Sequence, residues 1–292
     1  MNEKVLDAFS KMLDFDTTAN LLTYDFVQQA LLAAAILGLL AGALGPLIVS
    51  RQWAFAVHGS SELSLTGASA ALLVGITVGL GAIVGSVVAA VMFALLGSKA
   101  RDRDSVIGVI MSFGLGLSVL FIWLYPGRTG TSFSLLIGQI VGVGQSGIEL
   151  LLVCAVLVLI VLTVVYRPLL FASTDPEVAL ARGVPVRALS VVFAVLVGVA
   201  CALGVQIVGA LLVLSLLITP AAAAARVTAS PLKATLLSIL FAEIAAVGGI
   251  LLSLAPGLPV STFVTTISFV IYLVCRAIGG TRKANSGRLV AA

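Results

Sequence analysis

Residues 147 to 166 read G-I-E-L-L-L-V-C-A-V-L-V-L-I-V-L-T-V-V-Y, with no charge between Glu149 and Arg167. About 20 consecutive apolar residues in a helix reach across the hydrocarbon core of a bilayer. Comparable stretches recur along the whole chain, so closely that no soluble domain fits between them. Hydrophobic residues make up 61% of the sequence and charged residues 10%, with a mean hydropathy of +1.24. Soluble domains run to about 45–50% apolar and about 25% charged. The composition therefore gives an all-α polytopic membrane protein whose helices bury one another within lipid.

Nine spans are expected, near residues 26 to 49, 54 to 76, 79 to 97, 105 to 125, 147 to 166, 188 to 205, 207 to 226, 232 to 254 and 261 to 278. Residues 1–25 lack the basic region and apolar run of a cleaved signal and are expected to form an external or interfacial segment. The membrane domain covers 26–279, with a longer loop at 167–187, and 280–292 forms a tail. The glycine-rich residues 130 to 146 predict a short re-entrant or interfacial element. Gly38/Gly42 and Gly81/Gly85 follow the small-xxx-small spacing of close helix contacts. Cys154, Cys201 and Cys275 lie in apolar segments without C-x-x-C spacing and read as small core residues. Trp53 and Trp123, near span ends, read as interfacial anchors.

Threading nine spans places Arg51, Lys99, Arg101, Arg103, Arg167, Arg182, Arg187, Arg226, Lys233, Arg276 and the tail cations on one side. By the positive-inside rule that side is cytoplasmic. Lys4, Lys11 and Arg128 fall on the other side, with the acidic cluster of Glu3, Asp7, Asp14, Asp16 and Asp25. The expected topology in a bacterial inner membrane thus has the N-terminus outside and the C-terminus in the cytoplasm. The net charge of +4 is accounted for by topology, without a nucleic-acid partner.

The second span departs from the apolar rule. His58, Ser60, Ser61, Glu62, Ser64 and Thr66 follow in quick succession, and His58 is the only histidine. An ionisable side chain at the bilayer centre costs about 2.5–3.5 kcal/mol on insertion scales, so its default reading is functional. His58 and Glu62 are four residues apart, on one face of a helix, and pair an imidazole with a carboxylate, a divalent-metal ligand set. A structural hydrogen-bonded pair is the alternative. Ser61 and Ser64 offer hydroxyls nearby. Gln206, at the junction of two spans, and Glu243, deep in the eighth, are further pathway or gating candidates, or buried hydrogen-bonded groups. Asp102 and Asp104 alternate with Arg101 and Arg103 and read as a solvated loop.

The loop from Arg167 to Arg187 predicts a helix of about two turns at the cytoplasmic surface. Ser173, Thr174 or Asp175 can cap it, Pro176 suits its first turn, Glu177 favours its positive end, and Gly183 with Pro185 stops it. It is either a capped connector or a docking element.

The segment D-P-E-V-A-L-A-R-G-V-P-V-R, Asp175 to Arg187, resembles the coupling region of permease subunits of ABC importers for manganese, zinc and iron. D-S-V-I-G at Asp104 to Gly108, G-A-L-L-V-L-S-L-L-I-T-P at Gly209 to Pro220 with the alanines to Ala225, and G-G-I-L-L-S-L-A-P-G-L-P at Gly248 to Pro259 are similar to further motifs of that family. The resemblance implies a type II ABC importer-like permease that dimerises, with itself or with a similar permease. It also implies a cytoplasmic ATPase docked through Asp175, Pro176, Glu177, Arg182, Gly183 and Arg187. Metal would arrive from an extracytoplasmic metal-binding lipoprotein. No cofactor is held permanently, and the transported ion is manganese or zinc, with iron compatible. Where the family carries an acid followed by histidine four residues later, this chain, aligned on Gly67, carries His58 and then Glu62. The ligand types are exchanged and their spacing kept. Two such pairs in a dimer would supply four ligands.

No G-x-x-x-x-G-K-[ST] motif occurs, so ATP hydrolysis falls to a partner and the chain is not itself an enzyme. Nucleophile-elbow and H-E-x-x-H signatures are also absent. A permease for a metal chelate of the siderophore or cobalamin type and a non-transport membrane scaffold are the rival readings.

The topology is checked by terminal reporters. Alkaline phosphatase fused to the N-terminus is expected to be active and green fluorescent protein fused to the C-terminus to fluoresce; the reverse pattern overturns the assigned orientation.

Overall fold

The computed structural model describes residues 15–96, 100–126 and 145–290. Helices account for every regular element among them. In chain order these are α1 (Phe15–Leu21), α2 (Asp25–Ser50), α3 (Ala54–Val74), α4 (Val78–Leu96), α5 (Ala100–Leu124) and α6 (Gln145–Thr174). There follow α7 (Pro176–Ala181), α8 (Val186–Val208), α9 (Ala210–Val227), α10 (Pro231–Leu254) and α11 (Val260–Val290). In hydrocarbon each backbone N–H and C=O must be satisfied within its own segment, and a helix does this.

Seven helices among the described residues are long and apolar enough to cross a membrane: α2, α4, α5, α6, α8, α10 and α11. The count of nine is therefore not reached on length and hydropathy. The remaining two expected spans coincide with α3, which is interrupted by polar side chains, and α9, whose apolar part, Leu212–Val227, is short. The segment expected at 130 to 146 lies outside the described residues apart from Gln145 and Ser146, which open α6.

Some boundaries move. The helix expected to end at Tyr166 runs on through Pro168 to Thr174, so residues 167–174 of the presumed loop continue the helix. The alternating charges around Asp104 open α5 instead of lying in a loop. Gln206 falls within α8, and the chain breaks at Gly209, whose φ of 91° and ψ of 155° suit only glycine. Trp53 is no interfacial anchor: it is 5% exposed and packs edge-on to Phe193 at 5.2 Å, whereas Trp123 is 79% exposed.

The chain forms two compact units. One comprises residues 1–49 and 215–292; the other comprises 50–214. In the first, small residues on α2 admit its neighbours. A methyl group on Gly42 would strike the backbone of Ile239 on α10, and one on Gly45 would lie 2.8 Å from the Leu217 carbonyl oxygen on α9. Gly249 on α10 similarly receives Val264 of α11.

The second unit is built around α3. Gly67 of α3 meets Gly81 and Gly85 of α4 so closely that a Cβ on Gly67 would strike the Gly81 carbonyl oxygen and lie 2.8 Å from the Gly85 backbone. The Gly81/Gly85 spacing thus does form a close helix crossing, and Gly67 is its counterpart. The Thr66 hydroxyl reaches the Gly114 carbonyl at 2.9 Å and the Ser118 hydroxyl at 2.8 Å on α5. On its other side, α3 receives α8, where the Cys201 thiol points at the Val57 carbonyl at 3.6 Å. The helix ends at Gly75, with φ of 80°, and Ile76 N–H closes on the Ala71 carbonyl in a Schellman-type stop.

Gly67→Ala is expected to destabilise the protein by about 1–3 kcal/mol, because the backbones must separate. Gly108→Ala, with no atom within 4 Å of the added methyl, is expected to be neutral or stabilising by up to about 1 kcal/mol. Thermal unfolding in detergent compares the two; equal shifts would contradict the packing.

Candidate metal pathway and docking helix

His58 and Glu62 lie one turn apart on α3, each partly buried. With about 100° between successive residues, their face continues to Leu65 and Ser69, both buried. Ser69, whose hydroxyl donates to the Thr66 carbonyl at 3.0 Å, is a further polar member of this face, not among the residues expected from the sequence. Its spacing of seven residues from Glu62 is the signal that could have found it. The His58 ring stands 6.3 Å from that of Phe55. Its Nδ1 is buried and has no hydrogen-bond partner. A buried nitrogen without a partner loses hydration without recompense, a cost of about 1–3 kcal/mol. Glycine at 59 has a packing cause: a methyl there would stand 2.9 Å from the Ile107 side chain and 3.0 Å from Phe93.

The hydroxyls divide. Ser61 donates to the Val57 carbonyl at 2.8 Å and is spent on its own helix. Ser64 and Ser60 form a pair one turn apart, fully buried with no partner for either Oγ. Helical geometry places Ser64 on the side of α3 away from Glu62, so it does not join the His58–Glu62 face. Among the described residues no three histidine, cysteine or acidic side chains converge on one point. On this face of α3, His58 and Glu62 are the two side chains of metal-ligand type.

Gln206 ends α8. Its Nε2 donates to the Ala202 carbonyl at 3.4 Å, and its Oε1 fills the notch left by Gly79 at the start of α4. Glu243 belongs to the other unit, on α10, where its carboxyl group sits against Gly38 of α2; a methyl there would lie 3.1 Å from it. Neither is brought to the His58–Glu62 face within its own unit.

The loop helix forms as α7. Asp175 is its cap, its Oδ1 accepting from Val178 N–H at 3.0 Å, with Pro176 in the first turn. Glu177 adds negative charge at the positive end of the helix. Arg182 closes it and Gly183, with φ of 77°, turns the chain back, so that Val184 N–H reaches the Ala179 carbonyl at 3.0 Å. Ala179 is buried and anchors the helix. Val178 and Leu180 are exposed, beside the exposed Glu177, Arg182 and Arg187. An apolar pair ringed by charge on a short rigid helix is suited to docking a protein groove.

A family model described as the ABC 3 transport family matches residues 23–279. The manganese transport system membrane protein MntC of Halalkalibacterium halodurans is 30% identical over 234 residues, 80% of each chain. The manganese import system permease protein ScaB of Streptococcus parasanguinis is 29% identical, over 91% of this chain and 95% of its own. Among solved structures, PsaBC from Streptococcus pneumoniae in complex with Fab superposes with a TM-score of 0.81 at 25% identity, covering 90% of this chain and 95% of that one. A metal-chelate type ABC transporter in an inward-facing conformation matches in fold, with a TM-score of 0.67 at 18% identity and 85% coverage of both chains.

Removing the cap by Asp175→Ala is expected to cost α7 about 1 kcal/mol. Amide exchange at Val178 should accelerate roughly fivefold, with α8 unaffected; unchanged exchange would mean that the cap does not hold the helix.

Proposed function

The chain belongs to the ABC 3 transport family, and from that premise we propose that it is the permease subunit of an ATP-driven importer for a divalent metal ion. The ion passes His58 and Glu62 on the axis of a permease dimer. The observation that carries this reading is the buried, unpartnered Nδ1 of the only histidine, one turn from a carboxylate on a membrane helix. Such a nitrogen is costly unless something arrives to use it.

Two ligands per chain leave a metal under-coordinated, and a second permease copy doubles the set to two imidazoles and two carboxylates. That donor set suits manganese or zinc, with iron compatible. Manganese is the preferred cargo, because relatives along most of the chain are named for manganese transport. The site need only bind loosely, since conduction requires release as well as entry. His58 and Glu62 replace part of the ion's hydration, with water or the second pair completing its shell. Metal is handed over by an extracytoplasmic binding lipoprotein, and a cytoplasmic ATPase docks on Val178 and Leu180 of α7. The orientation with the N-terminus outside places α7 on the ATPase side.

Manganese uptake by cells expressing the chain with its ATPase and binding protein tests this. His58→Ala and Glu62→Ala are each expected to lower uptake by more than about tenfold, since loss of even supporting groups around a metal costs about 10–100-fold. Unchanged uptake in an assembled complex would remove the pair from the path and favour a chelate as cargo.

A further inference from the structure

Arg51 lies in the short turn between α2 and α3, and its side chain reaches α6 and α8. Its Nε donates to the Ser173 hydroxyl at 2.7 Å and one terminal nitrogen to the Ser190 hydroxyl at 3.5 Å. The guanidinium sits over the Phe193 ring at 4.9 Å from its centroid. Trp53 meets the same ring from the side. Ser173 belongs to the last turn of α6, two residues before the cap of α7, while Ser190 and Phe193 belong to the first turns of α8. One side chain thus holds both helices that flank α7.

The charge is poorly compensated. Two hydroxyls and a ring are its partners, and no carboxylate among the described residues pairs with it. Burial lowers its pKa to about 10, so it stays charged at neutral pH. A surface ion pair elsewhere would cost less, and a purely structural tether would need no charge. The planar fork nevertheless suits this place, because it can stack on an aromatic face and donate in its own plane at once.

The other end of the connection is short and stiff. Gln52 has φ of 54°, the one non-glycine residue with positive φ among the described residues. Trp53 then caps α3 from a buried position. His58 follows five residues later, about 7.5 Å along the helix. Movement of α6 and α8 at Ser173 and Ser190 therefore has a direct mechanical route to the base of the helix bearing His58 and Glu62.

We propose that Arg51 is the positioning residue that transmits displacement of α7 to α3, so that docking-helix movement reorients His58 and Glu62. The inference rests on the reading of α7 as the ATPase-docking element. Loss of Arg51 uncouples the two ends: ATP is still hydrolysed, and α3 no longer follows.

The test uses the full chain copurified with its ATPase and reconstituted in vesicles with the binding protein, measuring manganese moved per ATP hydrolysed. Arg51→Met keeps the apolar stem and removes the fork. The ATPase is expected to copurify and hydrolyse ATP, with the manganese-to-ATP ratio lowered about tenfold, the upper range for a residue acting only through coupling. Arg51→Lys retains charge without the fork and should fail to restore the ratio. A ratio equal to wild type in Arg51→Met, or a loss confined to protein yield, overturns the proposal while leaving the docking reading intact. If Arg51→Met does not assemble, Ser173→Ala with Ser190→Ala decides on the same ratio. If Val178→Asp with Leu180→Asp leaves ATPase binding undiminished, α7 is not the docking element, and the relay falls with that reading.

Discussion

A helix that carries a histidine, an acid and several hydroxyls cannot face hydrocarbon, and the second unit is organised around that constraint. Glycine makes the enclosure possible. Where Gly67 meets Gly81 and Gly85, the backbones of α3 and α4 approach as closely as backbones can, and α4 covers one flank of α3. Thr66, bonded to Gly114 and Ser118, fixes α5 along the adjoining flank. With α8 against Val57, the polar helix is held on three sides. His58 and Glu62 occupy the face those neighbours leave.

That division of faces explains why the hydroxyls behave unequally. Ser61 satisfies itself on its own backbone and helps shape the helix surface without offering a ligand. Ser60 and Ser64 are buried on the other side, where a small polar side chain gives close packing at the expense of an unmade hydrogen bond. Only the His58–Glu62 face combines ionisable groups with partial exposure. Residue type and spacing singled out this pair as a candidate, whereas proximity in sequence did not show that Ser64 lies on the other side of α3.

The fold was legible in the sequence because lipid imposes a simple rule on length and polarity. Predominantly apolar helices such as α4 and α10 follow it and were found with small boundary errors. Boundaries failed where helical propensity outlasted the membrane: α6 passes Pro168 because the missing hydrogen bond is tolerated near the end of a long, packed helix. Trp53 was misplaced because its partner, Phe193, is remote in sequence, and no periodicity announces a tertiary ring contact. Arg51 was assigned only as a topological charge for the same reason. The cap of α7, by contrast, was written locally in Asp175 and Pro176 and needed no tertiary knowledge.

The two elements that fall short of a membrane span also hold the clearest departures from regular helix. α9 starts at a glycine whose backbone no other residue adopts easily, and α3 starts beside a left-handed Gln52. Long apolar helices are held by their surroundings along their whole length and have little freedom to change state. Short or polar ones are fixed mainly at their ends, so a displacement at an end moves the element as a body. At the lower end of α3 the fixing point is a cation spread over two hydroxyls and a ring, interactions that reorient at small cost compared with a buried ion pair. An arginine held by two hydroxyls and a ring, with no carboxylate partner among the described residues, is a weak static clamp and a good movable one.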